Sequence, residues 1–456
     1  MKRATSRPMR VLVVATQEPW PLNHGGRLRL FHFTRQLARV AEVTLALPVA
    51  AQYAAKLPEG VRVVTISPRS GATAARNLSA PRASWAGRLA RQHFGYNDAI
   101  DAWLHRYARP EHFDVAFFSR AVLGVHVASA RIPVVWDSVD ELVLYTLREM
   151  QYGSWRRWPG TLCRAALYAL YERDAARHAA VTTFSSTVDA ACARRWVGGA
   201  RVEVISNGVD LEYFRPSESA AEPGTVAFVG SLEFPPNVDG IVNFATRVWP
   251  QIHARGVGRR LLVVGRRPLT AVKALASLPG VELAADVPDV RPFLARASAV
   301  VVPTRLGGGV KNKILEACAV CRPVVASPRA LGGLSARVGV EVLSADKPRA
   351  WVEQVCRLLD RSAYAHKIAQ AGYDWVRRAH RWSALGDRLV EILASARRSS
   401  RRSATLPECL ASLEGAGRPI DATRGASNRV PPRSVGRLHA AWSDQGARKE
   451  NARLSL

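Results

Sequence analysis

Short runs of β-branched residues alternate with amphipathic helical stretches along most of the chain, and this alternation narrows the fold more than any other feature. Apolar runs of that length, bounded by turn residues, read as strands buried on both faces, and the helical stretches supply the crossovers that parallel strands need. In the first half the strands fall at 11–16, 43–47, 61–66, 115–118, 134–136, 181–184 and 202–205, with helices between them that include 27–39 and 163–178. The pattern breaks at Ser217-Glu218-Ser219-Ala220-Ala221-Glu222-Pro223-Gly224, a small, polar stretch that reads as a linker. It restarts at 225–229 and continues through 261–264, 281–283, 299–302, 324–326 and 341–343. At 456 residues the chain exceeds one ordinary α/β core, so two doubly wound α/β domains joined near residue 220 is the economical reading.

In open parallel sheets ligands bind beyond the carboxyl ends of the strands. After the first strand comes Pro19-Trp20-Pro21-Leu22-Asn23-His24-Gly25-Gly26, opening a helix at Arg27. Gly25 and Gly26 admit close approach of backbone to a ligand, and a helix N-terminus offers free N–H groups to an anion, although turns also need glycine. The sharper feature follows the strand at 299–302 and runs Pro303-Thr304-Arg305-Leu306-Gly307-Gly308-Gly309-Val310-Lys311-Asn312-Lys313-Ile314-Leu315-Glu316-Ala317. Gly307, Gly308 and Gly309, between strand and helix, form a donor-rich cradle suited to phosphate. The Gly-Lys-Ser/Thr ending of an ATP-binding P-loop is missing, which argues against an ATPase.

Lys311 and Lys313 fall in the first turn of the predicted helix, where the macrodipole disfavours a cation by roughly 0.3–1 kcal/mol. Either an anion occupies the site or both lysines point to solvent. Glu316 lies one turn after Asn312 on the same face. It either accepts hydrogen bonds from ribose hydroxyls or is a surface carboxylate paired with Lys313.

The formal net charge of +28 suggests an anionic partner, or reflects only an arginine-rich composition. No aromatic-interleaved basic signature supports nucleic acid as a partner. A hydrophobic fraction of 48% with 22% charged residues fits a folded globular chain. Six cysteines lie scattered, and the Cys318-Ala-Val-Cys321 pair, lacking a second pair or a nearby histidine, reads as buried thiols in a reducing compartment. The apolar run 11–15 is too short for a signal-peptide core, and no stretch approaches the roughly 18 apolar residues of a membrane span. The expectation is a cytoplasmic protein, with any membrane contact peripheral, on the inner face of the plasma membrane. Trp155-Arg156-Arg157-Trp158 is either an interfacial patch or an ordinary loop. From Arg397-Arg398-Ser399-Ser400-Arg401-Arg402-Ser403 onward the periodicity fails, and 397–456 reads as a disordered basic tail.

Gly307–Glu316-Ala317 followed by Arg322-Pro323-Val324-Val325-Ala326 resembles the donor-site signature of the retaining glycosyltransferases of family 4. So does Val204-Ile205-Ser206-Asn207-Gly208-Val209-Asp210 with Phe214-Arg215-Pro216 after it. The segments 225–231 and Leu261-Leu262-Val263-Val264-Gly265 match in kind and order, so the likeness covers about residues 10 to 395. Within the family the chain looks most like bacterial sugar transferases of exopolysaccharide and exosortase-linked gene clusters. The resemblance implies the GT-B architecture, two Rossmann-like domains facing an inter-domain cleft. The acceptor domain would span 10–216 and the nucleotide-sugar domain 224–374, with a helix at 375–396 returning to the first domain.

Carried over residue by residue, Glu316 would bind the ribose and Lys311 the diphosphate. Gly307, Gly308, Gly309 and Asn312 would lie beside the donor, and Gly25 and Gly26 would approach it from across the cleft. Three positions depart from the pattern. Gly308 stands where many members carry a second glutamate. Gly230-Ser231 stands where many carry an arginine, leaving Ser231 in place of a phosphate contact. Asp137-Ser138-Val139-Asp140 stands where a histidine is frequent, so Asp137 or Asp140 either orients the acceptor hydroxyl or caps a helix.

The implied reaction moves a sugar from a nucleotide diphosphate to a hydroxyl, with retention, on a lipid-linked or saccharide acceptor. It needs no cofactor and no metal, since Lys311 and the glycine-loop amides would stabilise the departing diphosphate and no Asp-x-Asp stands where a metal-held diphosphate would need it. A sugar epimerase of the same fold, or a catalytically degenerate module that binds anionic lipid or polymer, are the other readings.

Overall fold

The structure is a computed structural model and describes residues 7–22, 24–49, 52–67, 94–150, 155–217 and 220–411. The first sheet holds β1 (Met9–Ala15), β2 (Ala41–Leu47), β3 (Val61–Thr65), β4 (Val115–Ser119), β5 (Val134–Val139), β6 (Val181–Phe184) and β7 (Val202–Val204), ordered β3-β2-β1-β4-β5-β6-β7. The second holds β8 (Thr225–Val229), β9 (Arg260–Gly265), β10 (Val281–Ala285), β11 (Ala299–Val302), β12 (Val324–Ala326) and β13 (Leu343–Ser344), ordered β10-β9-β8-β11-β12-β13. Every pairing is parallel. Both are Rossmann-like, and each strand lies where the apolar runs place it. The last shifts by two residues, because the Glu341 backbone N–H donates to Arg337 O in a turn, a turn its carboxylate fixes by accepting from Arg337 and Arg378.

The helices that position the site are α1 (Gly25–Ala38), α2 (Leu142–Met150), α3 (Trp158–His178), α4 (Pro235–Arg247), α5 (Asn312–Ala319), α6 (Pro348–Asp360), α7 (Ser362–Ala379) and α8 (Trp382–Ala411). Strand side chains alternate between two cores, as a period of two requires. In the second sheet Val226, Phe228, Leu261 and Val263 pack with Ile241 and Phe244 of α4 and Trp351 of α6. Their neighbours Ala227, Val229, Leu262 and Val264 pack on the other face with Ile314 and Leu315 of α5 and Trp375 of α7. Each large side chain so buried contributes about 1.5–3 kcal/mol relative to exposure.

The chain returns to the first domain at His380–Arg381, where Val209 bridges to Arg381. Trp382, Leu389, Ile392 and Ala396 of α8 then join the core of β1, β2 and α1. The crossing therefore lies after α7, which packs on α5, and not at residue 375. The expected start of the tail at 397 falls inside α8, whose alanine, arginine and serine residues tolerate a helix, and Arg397 reaches Asp114 at 3.8 Å. Both domains and α8 through Ala404 make one compact unit. Residues 412–456, which hold the rest of the expected tail, lie outside the described residues.

Among the described residues no helix is long and apolar enough to cross a membrane. Cys163, Cys192, Cys318, Cys321 and Cys356 are free thiols, and Cys318 is buried in the α5 core.

Candidate functional site at the two switch points

Strand order reverses between β1 and β4 in the first sheet and between β8 and β11 in the second. A crevice opens at such a point, because the crossovers leave toward opposite faces. The loops from these ends carry the unusual residues, and they meet across the cleft between the domains. A Cβ built on Gly25, at the start of α1, would lie 3.4 Å from Asn312 Nδ2 at the start of α5. A Cβ on Gly308 would lie 2.9 Å from the guanidinium of Arg148, on α2 of the first domain. Gly309 has φ 69° and faces the Asp140 carboxylate so closely that a Cβ there has no room.

In the second domain Lys311 is the N-cap of α5, and its ammonium donates to the Gly308 carbonyl. Burial lowers its pKa, and the facing Asp140 opposes that shift. Lys313 donates to Asn237 Oδ1 at 2.7 Å and lies 4.5 Å from the centre of the Phe228 ring. Burial, reinforced by Lys311 and opposed by Glu316, brings its pKa down to about 7. Gly230 makes room for it, since a Cβ there would lie 2.5 Å from the Lys313 ammonium. Ser231 contributes its carbonyl, which accepts from Asn237 Nδ2 at 2.9 Å.

Glu316 is likewise buried enough that its pKa rises to about 7, with Lys313 opposing. Its carboxylate takes no hydrogen bond among the described residues. Lys313 is therefore held by Asn237 instead of pointing to solvent, and Glu316, half-buried, keeps a charge interaction with Lys313. The first turn of α5 is tucked under the ends of β8 and β11, so these charges stand inside the crevice.

In the first domain His24 caps α1, accepting from Arg27 N–H. Burial, then the charges of Arg27, Arg120 and Arg266, lower its pKa to about 4, so the ring is neutral at physiological pH. Arg120 follows β4 with φ 98°, and Arg266 follows β9 of the second domain. Cations from both domains thus surround the Gly25–Gly26 amides, an arrangement suited to an anion.

Of the two aspartates offered as acceptor ligands, Asp137 is corrected by its surroundings. It is 0% exposed, takes a bidentate pair from Arg29 at 2.7 and 2.8 Å, and accepts from the Thr183 hydroxyl at 2.7 Å. A carboxylate so enclosed is scaffold and does not reach an acceptor. The ladder of β5 slips between Asp137 and Val139, and Val139 has φ 70°. That bulge swings Asp140 into the cleft. Burial raises its pKa, with Lys311 and then Arg29 opposing.

Arg29 extends its pairing across the domains. It donates to Ser206 O at 3.0 Å and to Asn207 Oδ1 at 3.1 Å, and Asn207 Nδ2 donates to Asn312 Oδ1 at 3.0 Å. His380 Nδ1 meets Asn207 O at 2.8 Å, so both inter-domain crossings are tied at one residue. A continuous buried line therefore runs from Asp137 to the N-terminus of α5.

Sequence reasoning missed Arg29, Asn237, Arg120, Arg148 and Arg266. Arg29 left one trace, a cation among the apolar positions of α1 beside Leu30 and Phe33. The others are single residues at strand or helix ends with no local signature.

Residues 223–361, the second domain, match the family model described as glycosyl transferases group 1. No curated protein matches the chain in sequence. Among solved structures, the HepE protein of Anabaena in complex with UDP and glucose aligns with a TM-score of 0.58 at 15% identity, over 85% of this chain and 100% of that one. Sucrose-phosphate synthase from Thermosynechococcus elongatus aligns with a TM-score of 0.62 at 15% identity, over 85% of this chain and 98% of that one. A glycosyltransferase from Rickettsia africae aligns with a TM-score of 0.56 at 11% identity, again over 85% and 98%. These likenesses show the fold, which is GT-B.

Proposed function

We propose that the protein is a retaining glycosyltransferase that moves a sugar from a nucleoside diphosphate to a hydroxyl acceptor, without a metal. The observation that carries this reading is the convergence of Lys311, Lys313 and Glu316 at the start of α5 with the Gly25–Gly26 helix end across the cleft. The match of the same segment to the group 1 glycosyltransferase model supports it. Glu316, half-buried in the crevice and without a hydrogen-bond partner among the described residues, takes the ribose hydroxyls. The diphosphate lies between the α1 N-terminus and the glycine loop, where Lys311, Lys313, Arg120 and Arg266 compensate its charge.

Charge grows on the departing diphosphate as the bond from the anomeric carbon to the phosphate oxygen breaks. The preorganised cations and amides stabilise it more than they stabilise the intact donor. The acceptor oxygen attacks on the face the diphosphate leaves, and its proton passes to the departing phosphate oxygen. Asp140 holds the acceptor hydroxyl by accepting its hydrogen bond during approach. Closure of the cleft excludes water, which would otherwise hydrolyse the donor.

The acceptor in this reading is lipid-linked, as in assembly of an exopolysaccharide, and the protein works at the cytoplasmic face of a membrane. Trp155 at 71% exposure and Trp158 at 46%, with Arg156 and Arg157 between them, support such a contact. The test is incubation with a labelled sugar nucleotide and a lipid-phosphate sugar acceptor in EDTA, followed by NMR of the product's anomeric proton. Retained configuration with turnover in EDTA is expected. Inverted product, or a strict metal requirement, would overturn the proposal.

A further inference from the structure

Beside the glycine loop, and apart from the crevice that holds Glu316, lies a cavity of about 560 Å³. It opens at the carboxyl ends of β11 and β12, over the core of α4 and α6, with Trp351 in its wall. The helix α5 packs on the opposite face of the sheet, against α7. Three guanidinium groups line the cavity from separate elements: Arg305 after β11, Arg329 after β12, and Arg148 from α2 of the first domain. Asp239 pairs with Arg305 at 2.5 and 3.0 Å, and Asp346 is the carboxylate in the lining. The lining thus holds three guanidinium groups and one carboxylate. Arg148 carries no hydrogen bond or salt bridge among the described residues. Thr304, 1% exposed in the lining, has a hydroxyl with no hydrogen-bond partner, which is costly unless a ligand supplies one.

We propose that this cavity binds a phosphate group of the acceptor, placed one glycine loop away from the donor diphosphate. The inference rests on the transferase reading for the word acceptor, while the phosphate site rests on the cavity alone. The arginine fork suits phosphate oxygens, which take parallel N–H donors, and the Thr304 hydroxyl adds a neutral donor at the floor. Whether the phosphate is carried on a lipid chain or a soluble sugar is what the test distinguishes.

The test uses the full chain with saturating UDP, so that the donor crevice is filled, and titrates inorganic phosphate, glucose 1-phosphate and farnesyl phosphate by calorimetry. All three bind in the proposal, and Arg329→Gln and Thr304→Val each weaken them at least tenfold, while Thr304→Val, which removes no charge, moves UDP affinity less than twofold. Arg329→Lys recovers part of the loss, which a purely structural effect would not give, and melting curves of each variant report folding. Farnesyl phosphate binding at least tenfold tighter than glucose 1-phosphate marks a lipid phosphate as the source, and equal binding marks a soluble sugar phosphate. No phosphate binding to the UDP-loaded protein, or binding indifferent to both substitutions, overturns the proposal. If UDP fails to bind while phosphate still depends on Arg329, the cavity stands and the transferase reading falls. If UDP binds and phosphate does not, the reverse holds.

Discussion

Two acid–base sets lie near the carboxyl ends of the strands, one in each domain, and are treated in opposite ways. In the first domain Arg29 and Asp137 are 1% and 0% exposed and closed on each other and on Thr183 and Asn207. In the second, Lys313 and Glu316 are only partly buried, Lys313 has one hydrogen-bond partner, Asn237, and Glu316 has none among the described residues. A buried pair with every lone pair used is structure. A partly buried pair left short of partners is desolvated at some cost in the free protein, and a ligand that supplies the partners recovers that cost on binding. The contrast separates the scaffold from the site without reference to any relative.

The largest way to break the comparison is at Arg29. Arg29→Ala strands the Asp137 charge and should cost about 3–5 kcal/mol, read as a lowered urea midpoint of the first domain. Arg29→Met with Asp137→Leu should recover much of that loss, since no charge is left unpaired. An unchanged midpoint in the single variant would mean that the pair is not the scaffold described.

Next in size is the ligand side. Glu316→Ala removes hydrogen bonds from a charged group to ribose, worth about 1.5–3 kcal/mol, so nucleoside diphosphate affinity should fall about 10- to 150-fold with little change in the fold. Calorimetric titration checks it.

The third prediction follows from the lowered pKa of Lys313. A group depressed from 10.5 to about 7 contributes stability that is present above pH 10.5 and is lost as pH falls toward 7. Lys313→Met should therefore raise the melting temperature of the free protein at pH 7, and the gain should shrink toward pH 10. Glu316 runs the other way: its stability is present below pH 4.5 and lost as pH rises toward 7, so the gain of Glu316→Gln should shrink on acidification. A gain independent of pH in both variants would show that the buried charges are not what the substitutions relieve.

The smallest effect is a proton count. A bound diphosphate restores the charge of Lys313, so binding at pH 8 should take up a fraction of a proton, and calorimetry in Tris and HEPES would differ accordingly. Release at pH 8 would place the diphosphate away from Lys313.

The strands were legible because each is a short apolar run between turn residues, and parallel sheets buried on both faces leave that trace. The glycine loop was legible because Gly307 to Asn312 lies contiguous in sequence. Asp137 was misread because its partner Arg29 lies 108 residues away, and nothing local distinguishes a paired aspartate from a free one. Lys313 was undervalued for a similar reason, since its burial depends on Gly230 and Asn237 closing over it from another loop. Arg120, Arg148 and Arg266 required the two domains to be brought face to face.

The central claim is that the crevice at α5 is a nucleoside-diphosphate site, and a thermal-shift panel tests it most directly. UDP, GDP, ADP, CDP and TDP would be added to the full chain in EDTA, in parallel with Glu316→Ala. A ligand present at 100 times its dissociation constant should add about 2.7 kcal/mol of stability. The account predicts that one diphosphate raises the melting temperature and that Glu316→Ala loses the rise. No shift with any of the five at millimolar concentration, or a shift that survives Glu316→Ala unchanged, would contradict it.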